Sequence, residues 1–369
     1  MPGYHSSSSE SSSSEILTPG ISSTGEGGTT QELTSVAEFL TIMEPSGIPG
    51  PMHFQRARLR NETFYEEFAP PGSQFGVYRE IQNTREGVIM KRALTTAGND
   101  SRNPQLQQQL KMVEREVRAL CHAKVREHQN IVKLKAWAFD YTMETPETLI
   151  PVLFMEEAKC TLLKFLQHPH EFDIDRLDYH IRYSLCLDIA SGLRRLFECG
   201  IVHGDLKPDN ILMFYGNNQW VAKISDFGLS IFPDSEGHIT YSMFKSTVGW
   251  KPPEVVDPPL SSESLPEHAL FKCDSYSYGL LALSILVFQG ESVVMKDEAV
   301  EYPECDVLIR TVHSAISSSS QILASEKSLQ KEICGQICKK CLCREPRDRI
   351  IVSPNSFAID IEKEVWQDW

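Results

Sequence analysis

The chain has 369 residues, with 36 Lys+Arg against 50 Asp+Glu for a net charge of −14, and it is 41% hydrophobic and 23% charged. At roughly 100–200 residues per domain this makes two or three compact units, and the proportions exclude a collagen, a coiled coil or a wholly disordered polymer. The acidic balance argues against a protein that coats nucleic acid, where basic groups must replace the counterions of the phosphates.

Residues 1–50 hold twelve serines, seven glycines, six glutamates and no Lys or Arg. Such a stretch buries too little apolar surface to offset chain entropy, so a disordered tail is expected. Within it, Leu33 to Met43 places apolar residues at 33, 36, 39, 40 and 43. That is the spacing of one helix face, and the patch is read either as a helix that docks on the folded part or on a protein partner, or as one that frays. The first residues lack the basic start and apolar run of a secretory signal, so the ten cysteines are expected to be reduced in an intracellular, cytoplasmic or nuclear protein.

From residue 51 the texture changes. Gly76–Glu80, Val88–Ala93, Ile131–Phe139 and Leu149–Glu156 read as strands, and Leu106–Ala123 as an amphipathic helix. After Glu156 the pattern is mainly helical, most clearly at Ile181–Glu198 and Asp274–Phe288. A small strand-rich part over 51–155 followed by a larger helical part over 156–369 predicts an α+β unit of two lobes. The most apolar run, Tyr278–Phe288, is shorter than the ~18–20 residues that span a bilayer and is read as a buried helix. Cys334, Cys338, Cys341 and Cys343 lack the paired C-x₂-C knuckles of common zinc sites. The first three recur at helical spacing, which suits small buried residues on one face; metal binding is the alternative.

The most informative segment is His203-Gly-Asp-Leu-Lys-Pro-Asp-Asn210, followed after sixteen residues by Asp226-Phe-Gly228. Phosphoryl transfer consists mostly of positioning and of neutralising charge. Asn210 and Asp226 supply the hard oxygen donors that Mg²⁺ takes. Asp205 can accept or aim a hydroxyl proton, and Lys207 brings positive charge to a transferring phosphate.

This ordered set resembles the catalytic and metal-binding loops of eukaryotic protein kinases of the Ser/Thr type, and the resemblance extends over roughly residues 55–369. It implies a bilobal kinase fold, ATP and Mg²⁺ as cofactors, and a protein substrate whose Ser or Thr hydroxyls take the γ-phosphate. By the same resemblance, Lys91 in Val88-Ile-Met-Lys91 holds the α- and β-phosphates, and Glu116 is its ion-pair partner on the following helix. Met155 falls at the gatekeeper position, Glu156 to Ala158 form the hinge that hydrogen-bonds adenine, and Ile89 and Leu212 roof and floor the purine. Leu120, Leu134, His203 and Phe227 are expected to stack between the lobes. Asp274 is expected to anchor the catalytic loop, Arg349 to pair with Glu254, and Thr247 to touch Asp205 and Lys207.

Two departures stand out. The family's glycine-rich loop reads here as Pro71-Gly-Ser-Gln-Phe-Gly-Val-Tyr78, in which Gly76 matches, Gly72 is one place out of register and Tyr78 replaces the purine-contacting valine. Gly204 stands where most members carry Arg, so activity is expected not to depend on a phosphate on the activation segment, at Ser242 or Ser246, through that contact. Two other function classes remain open: a non-catalytic pseudokinase scaffold, suggested by the degenerate loop, and a small-molecule phosphotransferase, since that class also writes His-Gly-Asp.

Overall fold

The computed structural model describes residues 30–50, 65–67, 75–80, 87–93, 104–141, 149–233, 244–257, 267–296, 299–300, 302–320 and 322–357. Its first element is a helix, α1 (Thr30–Ser46), inside the stretch expected to be a disordered tail; residues 1–29 lie outside the described residues. Phe39 and Met43, two of the residues predicted to share a face, are buried. Gly47, at φ +67°, stops the helix in a left-handed conformation that costs glycine no Cβ clash. Averaged composition points to disorder here because one apolar helix face is diluted among serines and glycines, whereas the local spacing from Leu33 to Met43 marks the helix.

The small lobe comprises β1 (Tyr65–Glu67), β2 (Phe75–Glu80), β3 (Val88–Ala93), α2 (Pro104–Cys121), the short α3 (Ala123–Arg126), β4 (Leu134–Tyr141) and β5 (Leu149–Glu156). The strands form one antiparallel sheet in the order β1-β2-β3-β5-β4. Its alternation sets two faces. Met90, Ala138 and Val152 pack on the outer one, while the other carries Leu153 and Met155 toward α2 and the large lobe. α2 buries Leu106, Gln109, Val113, Glu116, Val117 and Leu120, a stripe at three- and four-residue spacing. Sheet pairing begins at Leu134, later than predicted, because Ile131 bridges to Ile224 of the large lobe.

The large lobe follows as β6 (Cys160–Thr161), α4 (Leu162–Gln167), α5 (Tyr179–Glu198), β7 (Ile211–Gly216), β8 (Gln219–Ile224), α6 (Pro253–Val256), α7 (Glu267–Leu283), β9 (Met295–Lys296), β10 (Ala299–Val300), α8 (Cys305–Ser318) and α9 (Lys327–Cys341). α5 starts two residues before its apolar pattern does, because the Asp178 carboxylate caps it by accepting from Ile181 N at 2.8 Å. The predicted helix Asp274–Phe288 starts earlier, at Glu267, and ends in a π-helical turn over Ser284–Phe288. Ala269–Phe288 is long and apolar enough by length and composition to cross a bilayer, and 83% of that window is buried inside the lobe.

The three-stranded sheet β6-β7-β8 and the β9-β10 pair were not foreseen in a lobe read as helical. Two-residue strands carry no period to read, but the β7-β8 turn was legible as Gly-Asn-Asn. Asn217 and Asn218 both take positive φ there, as tight hairpins require. Cys334, Cys338 and Cys341 are buried along α9, and all ten cysteines are free thiols. Among the described residues these cysteines do not converge on a common metal position, so the packing alternative describes them. One apolar core runs from Phe39 through Leu120, Leu134 and Phe227 to Phe357, joining both lobes.

Candidate active site

The loop His203–Asn210 lies between α5 and β7 and is held from behind by α7. The Asp274 carboxylate accepts from the N–H groups of His203 (2.6 Å) and Gly204 (2.9 Å). Burial raises the Asp274 carboxyl above its usual range, against the lowering effect of His203 and these two bonds. His203 is fully buried: its Nε2 donates to the Ser225 carbonyl at 3.0 Å, and its Nδ1 accepts from Asp205 N at 3.2 Å. Gly204 has φ +80°, and a Cβ there would lie 2.8 Å from the Leu229 carbonyl oxygen, so glycine suits both the backbone and the space.

Asp205 then faces a ring of donors. Thr247 N and Oγ1 donate to its Oδ1 at 2.7 and 2.8 Å, and Asn210 Nδ2 donates to its Oδ2 at 3.0 Å. Lys207 Nζ sits 2.9 Å from Asp205 Oδ2 and donates to Thr247 Oγ1 at 2.6 Å. Asn210 Nδ2 also reaches the Asp205 carbonyl at 2.7 Å, which leaves its amide oxygen as a hard donor for a cation.

Opposite, Lys91 Nζ lies 2.7 Å from Glu116 and 3.0 Å from Asp226, closing an ion triad between the lobes. Burial lowers the Lys91 ammonium, but Asp226 and Glu116 together outweigh it and leave it above its usual value. Burial likewise raises the carboxyl of Asp226, and Lys91 reverses that to a net lowering; Glu116, buried more deeply, is left raised by its desolvation. Asp226 takes φ +63°, an uncommon conformation that Asp tolerates better than most residues. Its side chain is 42% exposed. Phe227 is buried with its ring centroid 5.2 Å from that of His203, and Leu120, Leu134 and Phe227 belong to one apolar core.

Behind the triad, Met155 is buried on β5 opposite Ile89 of β3, and Leu212 on β7 is partly buried from below. Glu156 N donates to Lys133 O (3.0 Å), Glu157 N to Gly87 O (2.8 Å) and Lys159 N to Met213 O (2.8 Å). These bonds tie the linker to both lobes on either side of Ala158. The Glu156 carboxylate, assigned only a hinge role from the sequence, also accepts from Lys133 N at 2.9 Å and Lys223 Nζ at 2.7 Å.

The glycine-loop reading changes in one respect. Pro71 to Gln74 lie outside the described residues. In β2, Val77 pairs with Lys91 and Tyr78 with Met90, so Val77 shares the Lys91 face while Tyr78 lies on the outer face. Gly76 pairs with Arg92 on that outer face, and the Tyr78 ring lies across it where a Cβ would collide. Phe75, which the sequence reading passed over, is buried with its ring centroid 4.8 Å from Lys91 Nζ. Its place follows from the β2-β3 register, which sets Phe75 opposite Ala93, two residues along from Lys91 on the same face.

Remote from the cleft, Arg349 and Glu254 pair at 2.6 and 2.7 Å with no exposure of the Arg side chain. Ser246, beside Thr247, is buried; Ser242 lies outside the described residues.

A family profile described as protein kinase domain matches residues 72–356. Similar proteins from Arabidopsis thaliana include "Probable serine/threonine-protein kinase SIS8", 31% identical over 200 residues that cover 47% of this chain and 18% of that protein. "Leucine-rich repeat receptor-like serine/threonine/tyrosine-protein kinase SOBIR1" is 32% identical over 186 residues, covering 47% of this chain and 26% of that protein. "Probably inactive leucine-rich repeat receptor-like protein kinase At3g28040" is 31% identical over 211 residues, covering 56% and 18%. The chain thus spans about a fifth to a quarter of the length of these relatives.

Proposed function

We propose, from the premise that this chain belongs to the protein kinase family, that it transfers the γ-phosphoryl group of ATP to serine and threonine hydroxyls of protein substrates. The observation that carries this reading is the ring around Asp205. Thr247 and Lys207 hold one carboxylate oxygen each while bonding to one another, across the cleft from the Lys91–Glu116–Asp226 triad.

In this reading Lys91, aligned by Glu116, binds the α- and β-phosphates, and Ile89, Val77 and Leu212 enclose the purine below Met155. The linker at Glu156 and Ala158 offers backbone groups to the adenine edge. Asp205 accepts the hydrogen bond of the incoming hydroxyl, aims its oxygen at the γ-phosphorus and takes its proton as the new O–P bond forms and the bond to ADP breaks. Lys207 stabilises charge on the transferring group. Asn210 and Asp226 present an amide and a carboxylate oxygen, a donor set that suits Mg²⁺. When bound, the ion neutralises charge on the phosphate oxygens.

The Ser/Thr assignment is supported by Lys207-Pro208 and by Thr247 bonding to both catalytic-loop side chains. Free thiols at all ten cysteines support placing this activity inside a cell. Against a small-molecule phosphotransferase stand Lys207 and the buried Glu254–Arg349 pair. The Phe75 ring beside Lys91 favours a second reading, a scaffold that binds no nucleotide.

Labelled ATP, Mg²⁺ and generic protein substrates decide among these. Wild type is expected to label protein Ser and Thr, with Asp205→Asn and Asp226→Asn each lower by about 10²–10³-fold. MgATP at 100 Kd is expected to stabilise the fold by about 2.7 kcal/mol, seen as a rise in Tm. No labelling and no shift in Tm would leave the scaffold reading standing; labelling of small hydroxyl compounds alone would support the phosphotransferase.

A further inference from the structure

α1 and the four residues after it are fastened to the small lobe at several independent points, all of them at α2, α3 or β4. Phe39 packs edge-on to Trp137 (ring centroids 5.5 Å) and against Phe139 (5.4 Å). Met43 Sδ lies 3.6 Å from the thiol of Cys121, the last residue of α2. The C-terminal carbonyl of Ser46 accepts from the Arg126 guanidinium on α3, a cation at the negative end of the helix. Beyond Gly47 the chain runs beside β4, the edge strand of the sheet, where Trp137 N donates to Pro49 O (3.2 Å) and the Trp137 indole N–H to Ile48 O (3.3 Å). Gly50 then lies so close that a Cβ would overlap the indole ring at 2.3 Å. The edge N–H and the apolar face of Trp137, which is only 4% exposed, are covered by this segment.

The consequence runs through α2. That helix carries Glu116, the residue that orients Lys91, and its middle contacts the loop of Asp226, where a Cβ on Gly228 would lie 3.1 Å from Met112. Among the described residues α2 packs on β3, β4 and β5, meets the large lobe through Met112 at Gly228 and Arg118 over the Phe232 ring (4.2 Å), and lies against α1 on a further side. The sheet and the large lobe leave one flank of α2 open, and α1 closes that flank, so the helix has less freedom to swing with its carboxylate.

We propose that residues 38–50 are a built-in strut for the catalytic ion pair. Phe39, Met43 and Gly50 are positioning residues that clamp α2 between α1 and the sheet and so keep Glu116 on Lys91. The strut rests on the kinase reading only where its effect on ATP use is concerned; its effect on α2 is independent of that reading.

The full-length chain tests it with Phe39→Ser and Gly50→Ala, beside the exposed α1 control Glu44→Ala. Three readouts are taken on each: alkylation of Cys121 by iodoacetamide, amide hydrogen exchange across Leu106–Leu120, and steady-state phosphorylation at varied ATP. With the strut broken, Cys121 alkylation and α2 exchange are expected to rise at least tenfold. KM for ATP is expected to rise severalfold with KM for the protein substrate unchanged, a split that general destabilisation does not produce. Glu44→Ala is expected to match wild type throughout. Gly50→Ala disturbs only the Trp137 contact and carries the test should Phe39→Ser melt the small lobe. Faster Cys121 alkylation with α2 exchange and KM for ATP unchanged would overturn the proposal, because α1 would then dock without holding α2. Unchanged alkylation in both variants would overturn it as well. If wild type transfers no phosphate, the kinase reading fails while alkylation and exchange still judge the strut.

Discussion

At the scale of single residues, Thr247 shows how a hydroxyl acts through its neighbours. It donates to Asp205 and accepts from Lys207, so it fixes the distance between the carboxylate proposed to take the hydroxyl proton and the ammonium proposed to meet the phosphate. Hydrogen bonds to charged partners contribute ~1.5–3 kcal/mol. Thr247→Ala is therefore expected to lower kcat about tenfold to a hundredfold with KM for ATP unchanged, and Thr247→Ser to restore most of it, measured by steady-state phosphorylation. Equal loss in the serine variant would mean that packing of the methyl group, not the hydroxyl, matters. His203, Asp205, Asn210 and Asp226 were legible at this scale because each has a fixed spacing to the next in one short stretch of chain. Phe75 was not: its place beside Lys91 depends on strand register, which no single segment reveals.

At the scale of elements, α5 and β8 are joined by a partly buried carboxylate. Asp188 accepts from Ala222 N at 2.9 Å, and burial raises its carboxyl to about 6 despite that bond and the Asn130 side chain. The fold therefore binds this proton more tightly than the unfolded chain does. The stability it contributes is complete below pH ~4 and is lost as the pH rises through about 6. Asp188→Asn keeps an acceptor for Ala222 and removes the charge. The variant is expected to show a smaller fall in Tm between pH 5 and pH 7.5 than wild type, by the equivalent of on the order of 1–2 kcal/mol. Parallel melting curves for the two proteins across that range would refute it. α1 belongs to this scale too: its face at Phe39, Leu40 and Met43 was readable, but whether that face met the folded part depended on Trp137 lying open at the sheet edge.

At the scale of the whole molecule, the large lobe closes on one ion pair. Every N–H of the Arg349 guanidinium is used: on Glu254 (2.6 and 2.7 Å) and on the carbonyls of Cys343 (2.7 Å), Arg344 (2.7 Å) and Lys272 (3.3 Å). The group also stacks over the Tyr276 ring at 4.7 Å. It links the segment after α9 to α6 and α7, of which α6 follows the loop around Thr247 and α7 carries the anchor Asp274. Arg349→Leu leaves Glu254 buried without its partner and is expected to cost about 3–5 kcal/mol. Arg349→Lys is expected to recover little, since an ammonium cannot reproduce the fork. Urea unfolding measures both, and a loss under 1 kcal/mol in Arg349→Leu would show that the pair is not what holds the lobe shut.

From residue order alone came everything that local spacing encodes: the two-lobe α+β plan, the ordered His203–Asn210 and Asp226–Gly228 stretches, and the buried cysteine face of α9. These are consequences of periodicity and of side-chain chemistry, which short windows carry in full. Only the tertiary structure decided which face of β2 looks into the cleft, that the β6-β7-β8 sheet underlies it, and that α1 braces α2. Each of those depends on pairing between segments far apart in the chain, where register and the shape of the opposing surface select one arrangement from several that the local pattern permits.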